Sequence, residues 1–202
     1  MLASREKRLI GMRAASLVQS ARVLFLGIGT TAEQFARNLP SRPDLTVVTP
    51  SLPIASLLGT RPFRVVVLGG AVLRDELTCV GPIAVGSLAD YRFDAAVIGA
   101  AGISARWGIT ELTEEEAAVQ RAALQRSERV IVIADGSKVG ASTPMVVGLV
   151  SAISTLVTDP SAPAAELAVL RRQGVEVLIA EQAAPSRLEP AREPAISAAA
   201  GR

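Results

Sequence analysis

The chain has 202 residues, half of them hydrophobic and only 3% aromatic, with 21 basic against 19 acidic side chains. That length suits one α/β domain, and a near-balanced charge without a Lys/Arg block excludes the footprint of a protein that tracks a phosphate backbone. With no His and one Cys, Cys79, a Ser-His-Asp triad, an internal disulfide and His- or Cys-ligated metal sites are excluded as well. Neither metal nor cofactor is expected.

Residues 1–20 lack the apolar stretch and cleavage pattern of a signal peptide. No apolar run approaches the ~18 residues of a membrane span, so the expected location is cytoplasmic. Residues 4–19 read as an amphipathic helix whose stripe is Ile10, Ala14, Leu17 and Val18. Short Val/Ile/Leu-rich runs follow at 22–26, 45–49, 64–68, 94–99, 129–134, 154–158 and 175–179. Continuous apolar runs of that length fit strands buried on both faces.

Helical patterns lie between most of these runs. Ala32, Phe35, Ala36 and Leu39 recur at helical spacing. Pro53 and Pro82 sit near helix starts, where a missing N–H costs nothing. Thr113 and Glu116 have the spacing of a capping box, and residues 163–173 form a last amphipathic helix stopped by Gly174. Residues 141–153 fit a short strand or a loop equally. The expected fold is α/β, a mostly parallel sheet of six to seven strands flanked by helices. It spans residues 1–180, and the Pro/Ala-rich stretch 181–202 reads as a disordered tail.

In open α/β sheets ligands bind beyond the carboxyl ends of the strands. The unusual residues of this chain collect there: Gly27-Ile28-Gly29-Thr30-Thr31, Gly69-Gly70, Gly99-Ala100-Ala101-Gly102 and Asp135-Gly136-Ser137-Lys138. In the first loop Gly27 and Gly29 let a ligand approach the backbone, and Thr30 or Thr31 is expected to cap the next helix. A helix start offers unpaired N–H groups and the positive end of a dipole, which suits a phosphate. The spacing matches neither a dinucleotide fingerprint nor a P-loop, and a capped turn with no ligand fits the same residues. Lys138 supplies a mobile cation, and Asp135 is placed to accept from sugar hydroxyls or to hold that lysine. The acidic trio Glu114, Glu115 and Glu116 complements a helix dipole, and one of the three is expected to face the pocket.

The stretches "FLGIGTT", "LTVVTPSLPIA", "VVVLGGAVLRDELTCVGPIA", "RFDAAVIGAAGIS", "GITELTEEEAAVQRAAL", "VIVIADGSK" and "STLVTDP" run in the order found in one family. From residue 4 to about 180 the chain resembles the effector-sensing domain of DeoR-type bacterial transcriptional regulators. The resemblance implies a fold like ribose-5-phosphate isomerase and the binding of a phosphorylated sugar or a similar small anion. It implies regulation, not catalysis. The ligand-binding residues it implies are Gly29, Thr30, Thr31, Glu115, Asp135 and Lys138, to which the strand-end loops add Gly27, Gly99 and Gly102 as candidates. It also implies a homo-oligomer, with DNA contacted through an attached or separate part and not by this chain alone.

Three departures accompany the resemblance. The family pattern has Asp where Gly27 and Ala101 stand, so two carboxylates suited to sugar hydroxyls are missing. Only about 20 residues precede the first strand, fewer than a winged helix-turn-helix needs. The competing readings are a sugar-phosphate isomerase with Glu115 as base, and a degenerate domain that serves only oligomerisation.

Overall fold

A computed structural model describes residues 2–181. The tail expected at 181–202 lies outside these residues except for Glu181, which is exposed coil. The seven apolar runs form one sheet in which every pairing is parallel. Its strands are β1 (Val23–Leu26), β2 (Thr46–Thr49), β3 (Arg64–Val67), β6 (Ala95–Ile98), β9 (Val130–Ile133), β11 (Thr155–Thr158) and β12 (Glu176–Ile179). Their order is β12-β11-β9-β6-β1-β2-β3. The chain therefore builds outward from β1 on one side and then returns to β6 on the other. That reversal leaves a crevice at the carboxyl ends of β1 and β6.

Alternation along each strand divides the core in two. Leu24 and Leu26 of β1 pack with Val97, Ile131 and Ile133 under one helical layer. That layer is α1 (Leu2–Ala15), α2 (Thr30–Asn38) and α3 (Leu52–Leu58). Phe25, Ala96, Ile98 and Val132 face the opposite side. There they meet α4 (Pro82–Ser87), α5 (Glu114–Leu124) and α6 (Ala164–Arg172). Phe25 stands edge-on to Phe93 with ring centroids 5.7 Å apart, a pairing worth ~0.5–1.5 kcal/mol beyond its buried area. At the amino ends of the same two strands Asp94 ties β6 to β1: its Oδ2 accepts from the N–H groups of Arg22 (2.6 Å) and Val23 (2.9 Å).

The helix expected at 4–19 is α1 followed by a 3-10 turn, Ser16–Val18, with Ile10, Ala14 and Val18 buried. Where α1 crosses α2 the two backbones nearly touch. A Cβ on Gly11 would lie 2.6 Å from the carbonyl carbon of Gln34 and from the amide nitrogen of Phe35. Only glycine fits such a crossing.

Two small sheets extend the frame. A hairpin joins β4 (Ala71–Leu73) to β5 (Thr78–Val80), where Cys79 lies buried. The other sheet, β10-β8-β7, comprises β7 (Gly102–Ser104), β8 (Gly108–Glu111) and β10 (Met145–Gly148). The ambiguous stretch 141–153 thus holds a strand, β10, followed by a 3-10 turn, Val150–Ala152. Among the described residues no helix is long and apolar enough to cross a membrane.

Candidate functional site

Beyond the carboxyl ends of β1, β6 and β9 opens a cavity of about 550 Å³. The loop from β1 to α2 lines it with Ile28, Gly29, Thr30 and Thr31. Gly29 occupies the N-cap position at φ 96°, a conformation that L side chains avoid. No side chain caps the helix: Thr30 and Thr31 are its first two residues, so the expected threonine cap is not formed. The first helical bond runs from Glu33 N–H to the Gly29 carbonyl (3.0 Å). The N–H groups of Thr30, Thr31 and Ala32 precede that bond and have no intrahelical acceptor.

Gly99, Ala100 and Ala101, after β6, add a backbone wall. Ile133, Ala134, Asp135 and Lys138 follow from β9 and its loop. Asp135 N-caps the 3-10 turn Gly136–Lys138, accepting from the N–H of Ser137 (3.1 Å) and from its hydroxyl. Buried Asp159 fastens the same loop from β11: it accepts from the N–H groups of Gly136 (2.7 Å) and Ser161 (2.8 Å). Burial works to raise the Asp159 pKa, but its hydrogen bonds with Ser161 and Gly136 together outweigh burial and hold it below the usual carboxylate value.

Asp159→Asn should therefore cost ~1–3 kcal/mol of stability, because an amide cannot accept from both N–H groups as the carboxylate does. A depressed folded pKa confers stability that is present above the unfolded value and fades as pH falls through the folded one. Urea unfolding from neutral to strongly acidic pH checks this. Equal acid sensitivity of the two proteins would show that Asp159 is not the group concerned.

Opposite the loops stands an acidic wall. Glu111, at the end of β8, and Glu116, in the first turn of α5, both line the cavity and are buried. Glu111 accepts from Gln120 Nε2 at 2.7 Å. Burial pushes its carboxyl up to about 7, against the hydrogen bond from Gln120, and the charges of Glu116 and Glu76 add to the rise. The capping interaction at α5 forms: Thr113 Oγ1 accepts from Glu116 N–H (3.3 Å) and donates to Glu116 Oε2 (2.7 Å). That fold-back brings Glu116, not Glu115, to the cavity. Arg74, Asp75 and Glu76 close one rim from the β4–β5 hairpin.

Among the residues expected from sequence, Gly29, Thr30, Thr31, Gly99, Asp135 and Lys138 meet around this one space. Three others lie outside its lining. Gly27 continues the sheet, its N–H bonded to the Val97 carbonyl (2.9 Å), and a Cβ there would press on Ile98 at 3.3 Å. Gly102 is buried against Ala141 and Thr110. Glu115 is exposed on α5.

Glu116 is the member of the acidic trio that faces the pocket, whereas Lys7, Glu111 and the rim residues Arg74, Asp75 and Glu76 are charged lining groups that the motif reading did not single out. Lys7 reaches in from α1 and donates to Thr30 Oγ1 at 2.9 Å, with Asp135 Oδ2 3.9 Å away. Its place in the middle of a basic helical run, "REKR", reads as an ordinary solvated face.

Residues 2–160 match the model of the DeoR C-terminal sensor domain. The HTH-type transcriptional repressor GlcR of Bacillus subtilis is 34% identical over 180 residues, covering 89% of this chain and 69% of that protein. The glycerol-3-phosphate regulon repressor of Escherichia coli is 27% identical, over 85% of this chain and 69% of that protein. Among solved structures, a probable sor operon regulator from Shigella flexneri shares the fold with a TM-score of 0.51 at 13% identity, over 82% of this chain and 87% of that one. These relatives are named as regulators, in agreement with a regulatory and not a catalytic role. The strand order, the switch-point cavity and the sequence match converge: the chain belongs to the sensor-domain family of DeoR-type transcriptional repressors.

Proposed function

We propose that the cavity is the effector seat and that its ligand is a phosphorylated sugar or a closely related small anion. The uncapped start of α2 carries the reading, because it faces the same space as Lys7 and Lys138. Free N–H groups, a helix dipole and two ammonium groups form a phosphate seat. In the same lining Glu111 and Glu116 offer carboxyl groups suited to hydroxyls. A phosphate at one end and hydroxyls at the other describe a phosphosugar. The name of the glycerol-3-phosphate regulon repressor points the same way. Occupancy would act on transcription through an attached or separate DNA-binding part.

Thermal shift against a panel of sugar phosphates, each paired with its unphosphorylated sugar, tests the reading. At least one phosphorylated compound should raise the melting temperature where its partner does not, since selective binding stabilises by RT ln(1+[L]/Kd). Lys138→Met should weaken that compound by roughly tenfold, about 1.4 kcal/mol. No stabilisation by any phosphorylated compound at millimolar concentration would leave the domain without this role.

A further inference from the structure

The Lys7 side chain is 25% exposed and lines the cavity. One of its three N–H bonds has an acceptor among the described residues, Thr30 Oγ1 at 2.9 Å. Asp135 Oδ2, at 3.9 Å, attracts it by charge but is beyond hydrogen-bond reach. An ammonium with spare donors on a cavity wall is open to a further acceptor. Thr30 is the first residue of α2. An anion held by the N–H groups of that first turn would therefore lie within reach of the same ammonium.

We propose that Lys7 is a ligand-contacting residue through which α1 reports occupancy: an anion at the start of α2 takes the ammonium over from Asp135 and ties α1 to the site. The inference rests on the anion seat proposed above. Its mechanical basis is independent of that seat. Lys7 sits one helical turn before Gly11, where α1 and α2 meet backbone to backbone, so a ligand that holds its side chain anchors α1 beside that crossing. Asp135 is the competitor. Its Oδ1 is engaged by Ser137, and its Oδ2 faces Lys7.

The test uses inorganic phosphate as probe, followed by the amide resonances of Thr30 and Thr31 and by hydrogen exchange along α1. In the wild type, phosphate should shift both resonances and slow exchange in α1. Lys7→Met should weaken phosphate about tenfold and abolish the change in α1, whereas Lys7→Arg should keep both within about threefold. Asp135→Asn preserves the turn but removes the competing charge. It should tighten phosphate by roughly threefold or more, and only while Lys7 is present. A Lys7→Met protein that binds phosphate as well as the wild type, or a gain from Asp135→Asn that survives in Lys7→Met, overturns the role of Lys7 alone. A wild type whose Thr30 and Thr31 amides ignore phosphate removes the seat itself, and the role of Lys7 with it.

Discussion

Replacing Glu111 by Gln should raise the unfolding free energy at about pH 8 by about 3 kcal/mol and leave it nearly unchanged at about pH 4. Burial holds the folded carboxyl at about 7 against an ordinary value of 4.5. Between those values the folded protein binds a proton that the unfolded chain has released. Stability therefore falls as pH rises through this window, and the full penalty is present above the folded pKa. Two and a half pH units at ~1.4 kcal/mol each give the expected size. The side chain is 6% exposed, so solvent screening does little to reduce it. Glutamine keeps the shape and the acceptor for Gln120 Nε2. Its added N–H₂ also offers a donor to Gln120 Oε1, a buried atom with no hydrogen-bond partner among the described residues. Urea unfolding of both proteins at the two pH values reads the difference. A gain of equal size at both would mean that ionisation of Glu111 is not its source.

Gly11→Val should cost about 3 kcal/mol or more and release α1 from the domain. The added Cβ meets backbone atoms of Gln34 and Phe35 at 2.6 Å, not the yielding end of a side chain. The helices must separate, and Ile10, Ala14 and Val18 then lose their contacts with Ala32, Phe35 and Ala36. Gly11→Ala makes the sharper contrast. Helix propensity alone would stabilise α1 by ~0.8–1 kcal/mol. The clash predicts a net loss, so the sign decides between the two effects. Denaturant unfolding with hydrogen exchange on α1 gives both readouts. A stabilised Gly11→Ala protein would mean that the crossing relaxes at little cost.

The main sheet was legible in the sequence because its five inner strands are buried on both faces, and such strands need unbroken apolar runs; β3 and β12, at the borders, carry similar runs but are only partly buried, against the expectation of burial on both faces. The smaller strands did not announce themselves. β4 is largely exposed and three residues long. β7 and β8 are short and each opens on a glycine, Gly102 and Gly108, and nothing periodic marks them. The cavity loops were legible from topology, since glycine and charge gather at strand ends. Lys7 was not, because it comes from a helix 23 residues before its partner Thr30, and no spacing rule connects them. Glu115 and Glu116 differ by one residue, which is 100° around a helix. Here the capping spacing from Thr113 held the answer: the glutamate that folds back to the cap is the one turned towards the cavity.

The parallel sheet also ends somewhere, and its two borders are guarded. β3 and β12 each present four residues along an unpaired side. Both open with a charge, Arg64 and Glu176, and Pro62 stands just ahead of β3. Short borders flanked by charge and proline make poor templates for adding another strand. The run Val65, Val66 and Val67 has the composition of a sticky segment, and Arg64 acts as its gatekeeper. The sheet is thereby closed to growth by strand addition at either border.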